Sequence, residues 1–197
     1  MSAGDKKLRN ERSQTIADFR EAYWQLFCEM PLNKITVSKL CERAGYNRGT
    51  FYLHFDAIDD VRYAIESDVM HDMTQGVEEC LKTVMRGKLF LPKAMAGILS
   101  VFKKDEKYIV PLLGEERDPE FLEQLTEELK PLWRTYVIGE RTGRTEAEID
   151  LILEQAITGG LKMIGNWLVD PRGVSPTKLA KLVYDMLIRD VSKRASA

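Results

Sequence analysis

The segment from Ile35 to Phe55, ITVSKLCERAGYNRGTFYLHF, holds the residues whose types and spacing point most directly to a chemical role. Thr36 and Asn47 have short polar side chains of the kind that accept hydrogen bonds from the first backbone N–H groups of a helix. Gly45 lies between them, where a helix can end in the left-handed conformation that glycine adopts without strain. The pattern predicts two short helices separated by a tight turn.

The second of these helices is expected to present a polar surface. Phe51 and Phe55 are four residues apart and would point into a core, which leaves other side chains outside. Two short helices joined by a glycine turn are typical of a helix-turn-helix, whose second helix enters the major groove of DNA. Arg48 suits a guanine or a phosphate, Thr50 suits a phosphate or a thymine methyl, and Gly49 allows a close backbone approach. The alternative is a core hairpin with an arbitrary polar surface.

Other reactive residue types form no catalytic or metal-binding pattern. The chain has two histidines, His54 and His71, and three widely spaced cysteines, Cys28, Cys41 and Cys80. Neither a phosphate-binding glycine loop nor a serine nucleophile elbow is found. We therefore expect no enzymatic activity, no metal and no cofactor. An enzyme with a carboxylate site hidden in the fold is the remaining alternative in this class.

Charge is distributed unevenly along the chain. The net charge is −2, yet residues 1–55 carry nine basic and six acidic residues. A mildly basic head on an acidic body fits a local contact with phosphate. Charges interrupt every apolar stretch, and the polar start resembles neither a signal peptide nor a membrane anchor. The expectation is a cytoplasmic protein without a membrane partner.

The elements that would position the motif are all predicted to be helical, because apolar residues recur at helical spacing throughout. The predicted fold is all-α, with a three-helix helix-turn-helix domain over residues 1–60 and a larger helical domain over residues 61–197. The first helix is expected over Glu11–Glu29, ended by Pro31. Asp56 is expected to cap the long helix that follows the motif.

Two local signals stand out in the larger domain. Pro111 is expected to kink or break the segment Glu106–Leu113, because proline lacks a backbone N–H group and crowds the preceding turn. Thr145 and Glu148 have the spacing of a capping box, which would begin a strongly apolar helix.

The run ITVSKLCERAGYNRGTFYLHFDAIDDV resembles the signature of the TetR family of bacterial regulators. The resemblance covers Glu11 to about Val61. Farther along, LLGEERDPEFLEQL and IGNWLVDPRGVSPTKLAKLVYDML resemble the branch of the family related to dihydroxyacetone kinase regulators. The resemblance implies a DNA-binding transcription regulator with a helical effector-binding and dimerisation domain.

The resemblance also implies which residues contact double-stranded DNA. They are Val37, Ser38, Asn47, Arg48, Gly49, Thr50, Tyr52 and His54. Two positions depart from the family: Ile58 stands where a lysine is usual, and Leu53 where an arginine is common. We expect fewer phosphate contacts there, with Arg9 and Arg12 near the start of the chain as compensation.

The last two helices are expected to form a homodimer interface. Their apolar residues cover too wide an arc for one face of a monomer, and Gly159-Gly160 permits close approach of backbones. The family pairs these helices across a two-fold axis, which implies a pseudo-palindromic operator. A monomer core is the alternative.

The region between the motif and these helices is expected, by resemblance, to bind an effector. The candidate contacts are Met95, Phe102, Tyr108, Leu112, Trp133 and Met163. Each has an equally simple interpretation as ordinary core. The predicted function is a repressor released by a small molecule. The alternative is an activator, or a regulator controlled by a protein partner, with no small-molecule ligand.

Overall fold

The structure, a computed structural model, describes residues 3–85, 91–113, 118–138 and 144–186. The helices are α1 (Ala3–Glu29), α2 (Val37–Ala44), α3 (Arg48–Tyr52), α4 (Ile58–Met85), α5 (Leu91–Lys104), α6 (Glu106–Leu113), α7 (Pro119–Trp133), α8 (Glu146–Val169) and α9 (Pro176–Tyr184). Short 3₁₀ and π turns follow α1 and α7. The described residues contain no strand, and the all-α prediction is confirmed.

Two compact units divide the chain, Met1–Asp68 and Val69–Ala197. The first unit has an aromatic core contributed mainly by α1, α3 and the residues after α3. Phe19 on α1 meets Phe51 edge-on, with 5.6 Å between ring centroids and 85° between ring planes. Both side chains are fully buried. Such edge-to-face packing adds directional preference to hydrophobic burial, so it fixes how α3 is seated on α1.

Helix α1 begins at Ala3, and the predicted start at Glu11 was wrong. The early residues lack the apolar stripe used to predict the helix, but lysine, leucine, arginine and glutamate all favour helix. Lys7 and Glu11 add an i, i+4 ion pair at 3.9 Å. The hydroxyl of Ser13 donates back to the Arg9 carbonyl at 2.9 Å, so this serine does not start a new helix.

The start of α4 corrects a second prediction. Asp56 does not cap this helix; instead the Asp60 Oδ2 atom accepts hydrogen bonds from the backbone N–H groups of Asp56 and Ala57, at 2.8 and 2.7 Å. A carboxylate in the first helical turn can reach back to the residues before the helix, as in half of a capping box. Three aspartates within five residues made the choice ambiguous from sequence.

In the second unit, α7 and α6 pack against α8, and α5 packs against α9. Gly165 permits the contact between α6 and α8, because a Cβ atom at this position would lie 2.9 Å from the Leu113 Cβ atom. Helix α6 runs through Pro111 without the predicted break.

The predicted capping box at the start of α8 is confirmed. Thr145 Oγ1 accepts a hydrogen bond from the Glu148 backbone N–H, and the Glu148 carboxylate accepts one from the Thr145 backbone N–H.

Candidate nucleic-acid interface

The two-helix motif has the caps predicted for it. Thr36 Oγ1 accepts a hydrogen bond from the Lys39 backbone N–H at 3.4 Å, at the start of α2. Gly45 ends α2 with φ 76° and ψ 24°, in the left-handed region. Asn47 Oδ1 accepts from the Thr50 backbone N–H at 2.8 Å and begins α3. Each short helix is therefore bounded by side-chain or glycine chemistry in its own sequence.

Helix α3 is only five residues long, so its orientation depends on what it packs against. Phe51 anchors it, and its ring centroid lies 5.6 Å from those of both Phe19 and Phe55. Phe19 also contacts Phe55 edge-on at 6.1 Å. The three rings hold the inward face of α3 and leave its other face to solvent.

A hydrogen bond across the unit fixes the turn before α3. The Tyr46 hydroxyl donates to the Asp18 Oδ2 atom at 2.7 Å, and the Tyr46 ring lies 5.2 Å from that of Phe19. This bond to the Asp18 carboxylate raises the pKa of the Tyr46 phenol. Sequence reasoning missed both residues, because a pair separated by 28 positions leaves no local pattern.

A second tie joins α2 to the end of α1. Arg43 donates through two nitrogens to both oxygens of Glu29, at 2.7 and 2.6 Å. The hydrogen bond to Arg43 lowers the pKa of the Glu29 carboxyl. The fork-shaped pair restricts relative rotation of the two helices more than a single-point contact would.

The predicted DNA contacts differ in exposure. Ser38, Asn47, Arg48, Gly49 and Tyr52 are exposed, with 57% of Tyr52 accessible. The exposed Tyr52 ring and the Arg48 guanidinium lie on the same short helix. A large aromatic side chain that stays exposed in this way marks a surface suited to binding a partner molecule.

The other predicted contacts, Val37, Thr50 and His54, are half-buried. The His54 Nδ1 atom is buried, and no group in the described part of the chain forms a hydrogen bond with it. Asn47 uses its carbonyl oxygen as the cap and also accepts from the Thr50 hydroxyl at 3.3 Å. The Asn47 amide N–H groups therefore stay available as donors.

The surroundings of α3 are electrostatically mixed. Arg48 is the one cation within α3 itself. The start of α4 is acidic, with Asp59 and Asp60 in its first turn, and Ile58 there is half-buried. The first turn of α4 therefore contributes negative charge and no positive charge.

In the second unit, an apolar cavity of about 20 Å³ lies among helices α4, α5, α7, α8 and α9. It is lined by Val77, Met95, Ile98, Phe102, Leu129, Trp133, Ile157, Gly160, Leu161, Ile164 and Val183. The volume accommodates about one water molecule, and the Trp133 indole N–H is the one strong hydrogen-bond donor among the lining side chains.

The six predicted effector contacts are divided between different places. Met95, Phe102 and Trp133 line the cavity. Leu112 is buried but is not part of the lining. Tyr108 is half-buried beneath the Lys107 ammonium, 4.5 Å from the ring centroid. Met163 lines a different, open groove of about 220 Å³ between α8 and α9. The other lining residues were missed because their apolar spacing is that of any helical core.

Metal sites and membrane-spanning helices are both absent from the described ranges. No group of three or more histidine, cysteine, aspartate or glutamate residues is arranged there to hold a metal ion. Over the same residues, no helix combines the length and apolar character required to cross a membrane.

The capped, aromatic-anchored pair α2–α3 defines a helix-turn-helix of the DNA-binding class. Residues 20–65 match the family described as bacterial regulatory proteins, TetR family. The chain thus carries the N-terminal domain of the TetR family, as its sequence predicts. Among curated protein sequences no relative was found.

Solved structures of TetR regulators share the fold along nearly the whole chain. A TetR transcriptional regulator from Streptococcus agalactiae 2603V superposes with a TM-score of 0.69 at 22% identity, over 94% of this chain and 99% of that one. The dihydroxyacetone kinase operon activator DhaS gives 0.52 at 14% identity, over 93% and 98%. The TetR family repressor AlkX from Dietzia sp. strain DQ12-45-1b gives 0.52 at 18% identity, over 90% and 95%.

Proposed function

We propose that the protein is a homodimeric, sequence-specific repressor in the cytoplasm that is released from DNA by a small-molecule effector. Residues 1–60 form the DNA-binding domain in this proposal, and residues 61–197 form the effector-binding and dimerisation domain. The observation that carries the DNA-binding part is α3, which is fixed from inside by Phe51 and presents Arg48 and Tyr52 outward.

Each outward group of α3 suits a different part of a duplex. The Arg48 guanidinium can donate two hydrogen bonds to a guanine or bind a phosphate, and the Asn47 amide can donate to a base acceptor or a phosphate oxygen. Tyr52 and His54 suit phosphates at the groove edge, which position a protein without reading sequence. Gly49 has no side chain to hold the backbone away from the base edges.

Three further contacts complete the proposed interface. Thr50 can bond a phosphate or touch a thymine methyl. Val37 and Ser38 lie at the start of α2, where free N–H groups and the positive end of the helix dipole favour a phosphate. Ser38 is exposed, and its hydroxyl can donate to a phosphate oxygen.

The homodimer is supported by two apolar stripes on α8. One stripe is buried within the protomer and includes Ile149, Leu153, Ile157 and Ile164. A second row, also at helical spacing, is only half-buried and consists of Ile152, Ala156, Gly159, Met163 and Trp167. One apolar stripe is enough to pack α8 against its own protomer. The second, half-buried stripe suits packing against a second protomer related by a two-fold axis.

The effector part of the proposal requires the cavity to grow. A site for a small organic molecule usually encloses about 300 Å³ or more, and the apolar cavity of the second unit is far smaller. Release would therefore depend on an effector that binds an expanded form more tightly than the DNA-bound form. The small volume also favours the second candidate function, a regulator controlled by a protein partner without a small molecule.

The direction of regulation is a separate part of the proposal. One structural neighbour is named an operon activator and another a repressor, so the shared fold is compatible with both. We propose repression as the default, since a dimer on an operator blocks access to the DNA that it covers.

A selection from random duplex DNA with the full chain tests the DNA-binding proposal. We expect enrichment of a pseudo-palindromic site, and a loss of preference for it of at least about 10-fold in Arg48→Ala combined with Tyr52→Ala, because a good base contact contributes about 1–3 kcal/mol of discrimination. Lys103→Ala, which removes an exposed cation on α5, is the matched control and should bind as wild type does. Unchanged preference in the double variant would show that α3 is not the reading helix.

A further inference from the structure

The outward face of α3 is centred on two uncharged residues, Gly49 and Leu53. Successive residues of a helix are turned by about 100°, so each of the two lies about 160° from Phe51, whose ring faces the core. Leu53 follows the last residue of α3 but keeps helical geometry, with φ −75° and ψ −16°. Its backbone N–H donates to the Gly49 carbonyl at 3.2 Å. Leu53 therefore lies almost directly opposite the residue that anchors the helix.

Leu53 is the most exposed large hydrophobic side chain in the described ranges, with 74% of it accessible. A single exposed leucine is ordinary on a protein surface. Leu53, however, adjoins the exposed ring of Tyr52, and the two side chains extend an apolar surface from the flank of α3 to its outward face. This apolar surface lies on the helix proposed to read DNA.

Gly49 leaves space beside the Leu53 side chain. Side chains on a helix lean toward its N-terminus, so each one covers the surface of the turn before it. One turn before Leu53 is Gly49, which has no side chain there. A Cβ atom at Gly49 would lie 3.1 Å from the Asn47 Oδ1 atom that caps α3. An isobutyl group next to bare backbone forms a place where a small apolar group of a partner fits.

The chemistry of this face favours an apolar group on a base. The side chains of Gly49 and Leu53 have no hydrogen-bond donor or acceptor, so they do not recognise the polar groups of a base edge. They also have no charge with which to bind a phosphate. In the major groove, the apolar group that base edges present is the C5 methyl group of thymine.

We propose that Leu53 is a specificity-determining residue, which reads the C5 methyl group of one thymine in each half-site, and that Gly49 gives the base access to it. The proposal rests on the proposed DNA-binding function, in which α3 enters the major groove. It adds a residue outside the expected set of DNA contacts, and it names the base that this residue reads. The contact contributes sequence preference without charge, so it adds nothing to the salt dependence of binding.

Replacement of thymine by deoxyuridine tests this contact, because the two bases differ only in the C5 methyl group. The duplex is one selected from random DNA with the wild-type full chain. Deoxyuridine replaces its thymines one position at a time, in both half-sites together. At one position, we expect the affinity of the wild-type protein to fall about fourfold per half-site, the effect of one buried methyl-sized group.

Variants of Leu53 identify the position that this side chain contacts. Leu53→Ala should bind the thymine duplex more weakly than wild type and should lose its sensitivity to deoxyuridine at that position. Leu53→Met keeps an apolar side chain of similar volume and should retain the sensitivity. Leu151→Ala is the matched control, because it removes the same side chain from α8 at a position that is 67% exposed. It should respond to deoxyuridine as wild type does.

The possible outcomes separate this proposal from the function on which it rests. If the wild-type chain enriches no duplex, the DNA-binding function is refuted and this proposal with it. If a duplex is enriched but deoxyuridine weakens wild type and Leu53→Ala equally, or weakens neither, DNA binding stands and the role of Leu53 is overturned. Circular dichroism should show the same helix content in wild type and Leu53→Ala, since the position is exposed.

Discussion

The helix-turn-helix and the interior of the second unit differ in how narrowly each residue's role is defined. In the first, Thr36, Gly45 and Asn47 each perform a task that few residue types can perform. Around the cavity of the second unit, the lining consists of aliphatic, aromatic and methionine side chains with nothing that would identify a ligand. A motif built from caps and a positive φ can therefore be recognised from sequence, while an apolar interior looks like any other core.

The largest effect is expected at the aromatic anchor of α3. Phe51→Ala should lower the free energy of unfolding by about 3–5 kcal/mol, because it removes a fully buried ring that contacts Phe19 and Phe55. Urea unfolding followed by circular dichroism measures the loss. Leu53→Ala is the control at a neighbouring position that is 74% exposed, and it should change stability by less than about 0.5 kcal/mol. Equal effects at the two positions would contradict the packing described for α3.

A smaller effect is expected in the second unit. Leu129→Met conserves volume at the cavity wall and should cost less than about 1.5 kcal/mol, since apolar side chains of similar size substitute for one another in a core. The same urea measurement applies. If Leu129→Met lowered the free energy of unfolding as much as Phe51→Ala, residue identity would be as narrowly defined in the second unit as in the first. The difference between the two units would then not hold.

The smallest effect is expected at Tyr46, and it depends on pH. The pKa of its phenol is raised by the bond to Asp18, so this bond stabilises the fold below pH about 10, the ordinary tyrosine pKa, and the contribution is lost as pH rises through the raised value. Tyr46→Phe should slightly lower stability at neutral pH and remove this part of the alkaline decrease. Thermal unfolding between pH about 8 and about 11, on either side of that pKa, measures both, with Tyr52→Phe as an exposed control. An identical alkaline decrease in Tyr46→Phe would exclude the Asp18 bond as its source.

Much of the first unit was predictable because its signals are local. The caps at Thr36 and Asn47 and the end of α2 at Gly45 each depend on a few neighbouring residues. The start of α1 was not predictable from periodicity, because an exposed helix has no apolar stripe. The Asp18–Tyr46 bond depends on the tertiary fold, and nothing in either residue's neighbours indicates it.

The second unit was predictable as a set of helices but not as a site. Met95, Phe102 and Trp133 were predicted and do line one cavity, while Met163 lies on another groove. Periodicity gives the face of a helix that is buried, but it does not say which buried residues surround the same space. That assignment depends on how the helices cross.

The shortness of α3 has a consequence for how such a protein changes over evolutionary time. Its fold depends on one inward ring, Phe51, and on the Asn47 cap, whereas Arg48, Gly49 and Tyr52 are exposed. Exchanges at Arg48 and Tyr52 leave the core untouched and are expected to alter stability little, whereas a Cβ atom at Gly49 would lie 3.1 Å from the Asn47 Oδ1 atom that caps the helix. In the proposed DNA-binding role, new DNA preferences are therefore accessible by single substitutions that the fold tolerates, and gene duplicates can diverge in target before they diverge in structure.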